Sequence, residues 1–252
     1  NTIKTMRIAL VSDVHGNLPA LLAVMEDITS RSVDAVVNLG DSLSGPLMPA
    51  ETANYLMRQD WIQLAGNHER QLLHFRPETG AESDRFALTK LASPALSWLA
   101  SLPGTARMAN DEVLLCHGTP DSDVQYFLES VDRDGMRPAN AAEIEARCGD
   151  AAARVICCGH THVARICRMK NGMLLVNPGS VGLQAYDDEH PYPHVIENGA
   201  PDARYAIIER HANDWRAALL CVPYDHEAMA RLAEQNNRPD WAIALRYGYM
   251  HR

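Results

Sequence analysis

The chain has 252 residues, 46% of them hydrophobic and 22% charged, which predicts a globular protein with a sizeable core and excludes a disordered or fibrous one. A formal net charge of −9 repels polyanions and excludes a nucleic-acid polymer as the default partner, while a small phosphorylated partner stays open because bound cations can reverse the local field. No apolar run approaches the roughly 20 residues that span a bilayer, and the polar start from Asn1 to Arg7 has no signal-type segment behind it, so a cytoplasmic protein without a membrane partner is expected.

Residues 1–6 are expected as an appended or disordered lead, with Met6 the native start. Arg7–Ser12 reads as a buried strand. Leu18–Ser30 reads as a helix with Leu18, Leu21, Leu22, Met25 and Ile28 on one face. Asp34–Leu39 is a second strand, Pro49–Arg58 a helix with proline suited to its first turn, and Trp61–Ala65 a third strand. A mostly helical stretch follows from Glu69 to Ser101, broken at Pro77-Glu78-Thr79-Gly80. Glu112–Cys116 and Arg154–Cys158 read as strands, separated by a polar segment with a helix at Ala141–Arg147. Ala164–Met169 and Met173–Val176 flank Lys170-Asn171-Gly172, a hairpin signal. Ala203–Arg210 and Trp215–Val222 form another strand pair turning near Asn213-Asp214, and Asp225–Gln235 and Pro239–Tyr247 are helical.

Strands alternating with helices predict an α/β architecture. The absence of repeats, low-complexity tracts and linkers predicts one domain over residues 1–252, with 223–252 a helical C-terminal extension. The six cysteines form no C-x-x-C pair and sit mostly in apolar runs, which predicts free buried thiols. The sequence is silent on oligomeric state.

Five polar, metal-competent clusters follow directly on predicted strands: Asp13-Val14-His15, Gly40-Asp41, Gly66-Asn67-His68, His117-Gly118 and Gly159-His160-Thr161-His162. Each alone is a weak signal. Their shared position matters more, because ligands of layered α/β proteins collect at the carboxyl ends of strands. Asp, His and Asn offer oxygen and imidazole nitrogen to Mn, Fe, Zn or Ni. No cysteine lies inside the clusters, which points away from a cysteine-rich structural zinc site and towards a catalytic centre with open positions.

In this order, D-V-H-G-N, N-L-G-D, G-N-H-E, C-H-G and G-H-T-H resemble the five motifs of the calcineurin-like metallophosphoesterases. Asn177-Pro178-Gly179-Ser180 resembles a segment of their small bacterial and archaeal members, the YfcE-like group. The resemblance runs from about Arg7 to Val181 and implies a four-layer α/β/β/α sandwich. It further implies that Asp13, His15 and His162 hold one divalent metal ion, that Asn67, His117 and His160 hold a second, and that Asp41 bridges both. The implied activity is hydrolysis of phosphodiesters, with phosphomonoesters as further substrates, through a metal-bridging hydroxide that attacks phosphorus. Mn is the expected metal, with Fe, Zn and Ni as alternatives.

His68 adjoins a ligand and is the candidate general acid; Asp41 and His68 are the catalytic pair. Glu69 either orients His68 or starts the following helix, where an acidic residue suits the dipole; the second reading is preferred. Asn17 is a candidate substrate contact, set against a reading as the N-cap of the helix at Leu18. Tyr126 and Asp121 lie where a substrate-facing loop would form. His190-Pro191-Tyr192-Pro193-His194 is tempting as a further metal clip, but its prolines and the acidic run before it predict an exposed loop. Trp98, Trp215 and Trp241 are read as structural. The lack of long insertions predicts an open site. Alternative activities are a dinucleoside polyphosphate hydrolase or a Ser/Thr phosphoprotein phosphatase, and the competing class is a non-catalytic scaffold of the same fold.

Overall fold

The structure, a computed structural model, describes residues 5–250. Most of the expected lead lies outside the described residues; Met6, assigned to it, instead opens the first strand opposite Arg210. The first half of the chain runs β1 (Met6–Val11), α1 (Leu18–Thr29), β2 (Ala35–Asn38), α2 (Pro49–Leu56), β3 (Ile62–Gln63), α3 (Asn67–Leu73), α4 (Glu82–Lys90) and α5 (Ser93–Ser101). It continues with β4 (Thr105–Met108), β5 (Val113–Cys116), β6 (Glu129–Asp132), β7 (Gly135–Pro138), α6 (Ala141–Cys148), β8 (Val155–Cys157), β9 (Arg165–Arg168) and β10 (Leu174–Asn177). The remainder is β11 (Ala185–Asp188), β12 (His194–Glu197), β13 (Ala203–His211), β14 (Asp214–Val222), α7 (His226–Gln235) and α8 (Pro239–Tyr247).

The strands form two five-stranded sheets, ordered β14-β13-β1-β2-β3 and β4-β5-β8-β10-β9. In the first, β1, β2 and β3 run parallel; in the second, β5, β8 and β10 do. Period-two burial then fixes the layers. Ile8 and Leu10 of β1 meet Val113, Leu115, Val155 and Cys157 of the other sheet in one apolar cluster. Ala9 and Val11, on the opposite face of β1, pack on Leu21, Val24 and Ile28 of α1. Leu114 and Cys116 turn outward from the second sheet onto Ile144 and Cys148 of α6. The order helix, sheet, sheet, helix is the four-layer α/β/β/α sandwich.

Asn17 caps α1 by accepting from the Ala20 amide, the N-cap reading preferred from sequence. The buried face of α1 is Ala20, Leu21, Val24 and Ile28. Leu22, assigned to that face, points outward and is 45% exposed. Truncating a fully buried side chain such as Ile8 or Leu21 would cost about 2–5 kcal/mol.

Strand β4 and the hairpins β6–β7 and β11–β12 carry no sequence expectation. They are four-residue strands, too short to carry a clear signal, and two of them, β6–β7, turn through Arg133 and Asp134. The segment expected as an exposed loop at 190–194 is the end of a hairpin: His190 is exposed, whereas His194 opens β12 and is buried. All six cysteines are free, and four of them are buried. Among the described residues, no helix is long and apolar enough to cross a membrane.

Candidate metal centre

Every cluster read from the sequence lies just past the carboxyl end of a parallel strand, Asp13 and His15 after β1, Asp41 after β2, Asn67 and His68 after β3, His117 after β5, and His160 and His162 after β8. The two sheets bring these ends to one edge. Asp13, His15, Asp41, Asn67, His117 and His162 are all buried. Donor atoms of Asp13, His15 and His162 lie within 4.8 Å of one another, as do those of Asp41, His117 and His160. Asn67 Oδ1 lies 3.2 Å from His117 Nε2 and so adjoins the second group. Asp41 Oδ2 is 3.1 Å from His117 Nε2, and Asp13 Oδ1 is 3.4 Å from His162 Nε2.

Backbone carbonyls settle the tautomers. Nδ1 of His15 donates to Ser44 O at 2.8 Å, Nδ1 of His117 to Leu39 O at 2.8 Å, and Nδ1 of His162 to Leu183 O at 2.7 Å. A carbonyl only accepts, so in its neutral form each ring has its lone pair on Nε2. His160 is reversed: its Nε2 donates to Val124 O at 3.1 Å, which leaves Nδ1 as its ligating atom. The consequence is electrostatic. His15 Nε2 and His162 Nε2 face each other at 3.1 Å, lone pair to lone pair, while Asp13 Oδ1 is buried without any hydrogen-bond partner. A divalent cation satisfies all three atoms at once, so the residues fit the metals that the motifs imply.

Protonation agrees with this. Burial pushes the His15 ring down to about 4, helped by the charge of His162, and pushes His160 down to about 4, helped by His117. Burial raises Asp13, but the neighbouring imidazoles of His162 and His117 outweigh it and bring the carboxyl to about 2. Asp41 is likewise held well below the usual carboxylate range by His117 and His68, against burial. His117 is the exception: burial opposes it, yet the neighbouring Asp41 pushes it up to about 10. A proton and a cation therefore compete for His117 Nε2.

The backbone is strained where the ligands sit. Asp13, His15, Asp41, His160 and His162 all have positive φ, between 51° and 69°. Each such residue stores about 1–3 kcal/mol and persists only when its surroundings hold it. Here they do. His15 N bonds Asp41 O, Asp13 N bonds Gly40 O, and Ser180 Oγ donates to Asp13 O at 2.7 Å. Asn177 donates to Gly159 O and Thr161 Oγ1, so the N-P-G-S segment braces both metal loops. Gly66 is obligatory, because a Cβ there would lie 2.3 Å from Asp41 Oδ1.

Glu69 goes beyond the sequence reading preferred for it. It does start α3, accepting from the N-cap Gly66 N at 2.7 Å, but it does not orient His68, and fully buried it also accepts from Asp41 N and Ser42 N at 2.8 Å each. The residue that orients His68 is Asp84 of α4, whose Oδ1 lies 2.9 Å from His68 Nδ1. The sequence carries no signal for Asp84, because an acidic residue in the first turn of a helix is unremarked. Burial lowers the His68 pKa, but the charge of Asp41 and the bond to Asp84 outweigh it and push the ring up to about 9.

Asn17 is not a substrate contact. It is fully buried, and after capping α1 it donates to Gly182 O and Tyr224 Oη. Tyr126 does line the cleft, yet its hydroxyl bonds Tyr186 Oη at 2.8 Å and His194 Nε2 at 2.9 Å. His194 was legible only as part of a histidine-proline segment; its buried role depends on a hairpin that periodicity does not reveal. Asp121 borders a smaller hollow on the far side of His117. Trp241 is more than structural, since its ring stands edge-on to His15 at 5.9 Å and lines the cleft. The site is a half-open cleft of about 1210 Å³, lined by His15, Asp41, Asn67, His160 and His162, whose walls include the two short hairpins and α8.

Comparison with known proteins places this geometry. The uncharacterized protein MJ0912 of Methanocaldococcus jannaschii is 24% identical over 254 residues, covering 95% of this chain and 96% of its own. A metallophosphoesterase structure from Sphaerobacter thermophilus superposes with a TM-score of 0.71 at 23% identity, over 97% of this chain and 100% of its own. The phosphoesterase Yfce of E. coli is similar at a TM-score of 0.43 and 21% identity, over 86% of this chain and 100% of its own. Residues 6–197 match the calcineurin-like phosphoesterase superfamily domain; the chain, with its two Asp/His groups competent for metal, belongs to that superfamily and is a metal-dependent phosphoesterase.

Proposed function

We propose that this site hydrolyses phosphodiesters, and phosphomonoesters as further substrates, with His68 as general acid. Asp13, His15 and His162 would hold one divalent ion, Asn67, His117 and His160 the other, and Asp41 both. Bound there, the ions would supply Lewis acidity to the phosphate oxygens and activate water. Mn suits the mixed oxygen and imidazole donors, as Fe, Zn and Ni also do.

The observation that carries this reading is the pairing of a complete donor set with a poised acid. His68 commits Nδ1 to Asp84 and has Nε2 left for the cleft it lines. Its backbone N–H donates to Asp41 Oδ1 at 2.9 Å, which ties the acid to the residue that both ions would share. Divalent ions would cancel much of the pull of Asp41 on the ring, so Asp84 is the group that keeps the proton on His68 until the leaving oxygen takes it. A scaffold of the same fold needs neither the donors nor this dyad. We also read residues 1–252 as one working domain, because α8 walls the cleft, and as cytoplasmic, because free thiols suit a reducing compartment.

The test is hydrolysis of a bis-aryl phosphate with added Mn by wild type, Asp41→Ala and His68→Ala. Loss of at least about a hundredfold in each variant is expected. Full activity in both variants overturns the mechanism.

A further inference from the structure

Two distant parts of the chain meet along the cleft that His68 lines. One wall is the start of α4, where Thr79, Ala81 and Ser83 line the cavity, and Asp84, next in line, holds the acid. The other is the start of α8, with Arg238, Asp240 and Trp241. They meet where Arg238 Nη1 donates to Ser83 Oγ at 2.9 Å, with Glu82 a further 3.9 Å contact. Asp240 grips the same guanidinium at 2.6–3.2 Å, and the guanidinium carbon lies 5.7 Å from the centre of the Trp241 ring, so the arm is held in place.

The wall behind that arm is anchored at both ends. Asn236, in the turn between α7 and α8, donates to Pro46 O at 2.8 Å. Beyond α8, Gly199 N bonds Gly248 O and Met250 N bonds Glu197. An apolar cluster including Leu183, Met229, Trp241 and Leu245 packs the helix pair onto the body of the protein. All of α7 and α8 lies past residue 197, where the superfamily match ends.

We propose that the Arg238–Ser83 seam sets the size of the leaving group, turning what would be a through-running groove into a blind cleft that takes phosphate esters of small, compact alcohols or phenols. This rests on the hydrolase reading above. The argument is one of direction. A general acid stands on the leaving-group side of phosphorus, and His68 is fixed from α4 by the residue adjoining Ser83. The departing oxygen therefore lies on the side of the cleft that α4 walls, where the seam stands in the path of a long substituent. At about 1210 Å³ the cavity is larger than the roughly 300–1,000 Å³ of ordinary small-ligand sites, so the limit on the leaving group comes from the seam and not from the volume as a whole. A phosphate on a protein chain is excluded on the same ground.

The experiment uses methyl aryl phosphates whose aryl group carries a para-linked peptide of zero, three or nine residues, so that the leaving phenol keeps its chemistry while its bulk grows. With Mn present, wild type is expected to lose at least about thirtyfold in kcat/KM from the shortest to the longest, mainly in KM. Arg238→Ala and Ser83→Ala, each removing the seam from one side, are expected to shrink that loss to about threefold and to leave the shortest ester within about twofold of wild type. A wild type indifferent to length overturns the proposal, as does a folded variant with the wild-type length dependence. Should Arg238→Ala not fold, Ser83→Ala decides by the same criterion. Failure of wild type to cleave even the shortest ester overturns the hydrolase reading and takes the seam with it.

Discussion

Replacing Glu69 is a demanding test of how the metal loops are held. Its carboxylate, fully buried, accepts three backbone N–H groups, from Asp41, Ser42 and Gly66. Glu69→Ala leaves three buried donors without partners, at about 1–3 kcal/mol each. Part of that loss is offset, because burial and the neighbouring Asp41 disfavour the charged carboxylate and push its pKa up. A net loss of about 3–5 kcal/mol follows, a large share of the stability of an ordinary domain. Glu69→Gln should lose less, about 2–3 kcal/mol, since one amide oxygen can still meet either Ser42 or the Asp41 and Gly66 pair. A residue acting only on the helix dipole would contribute at most about 1 kcal/mol. Urea unfolding of the three proteins, compared at constant m, measures the difference directly. Repeating it with Mn should show a smaller metal-dependent gain in both variants, because the clamp sets the loop that carries Asp41. A Glu69→Ala loss below about 1 kcal/mol refutes the clamp.

Two further outcomes are expected. Asp84→Asn keeps a hydrogen-bond acceptor for His68 but removes the charge that holds its proton, so kcat should fall about ten- to a hundredfold for alkyl leaving groups and far less for nitrophenyl ones, with KM unchanged; equal losses on both would refute the acid role. Asp27, whose carboxyl is lowered first by its hydrogen bond to Arg31 and also by Tyr205, against burial, stabilises the fold above its unfolded value of 3.8 and loses that contribution as pH falls through the lower folded value. The pair is partly solvent-exposed, so Asp27→Asn should cost only about 0.5 kcal/mol at neutral pH and nothing at the acid end, read from thermal midpoints at low and neutral pH.

Much of this was legible because the signals are local. Buried parallel strands read as short apolar runs, and the ligand clusters follow them directly, so the clusters that hold Asp13, His15, Asp41, His117, His160 and His162 stood out by position, and the family resemblance named them as ligands. What escaped depends on contacts between distant segments. Asp84 lies 16 residues from the histidine it orients, and nothing in its own helix distinguishes it. Glu69 was seen but read only in part, since its three partners come from two loops that only the folded sheet edge brings together. Tyr186 and His194 act through a hairpin whose strands are too short to carry a clear signal. Arg238 and Trp241 acquire meaning only once the C-terminal helices fold back across the cleft.

The left-handed backbone of five ligand-bearing residues sets metal binding and fold stability in opposition. Glycine in place of Asp13, His15, Asp41, His160 or His162 would relax a strained φ and remove crowded lone pairs or a charge, which offsets part of the cost of the buried hydrogen bonds it breaks, so these substitutions harm the fold less than their burial suggests. Inactive descendants of such a protein need not be unstable ones, and selection for chemistry is what keeps the ligand set complete.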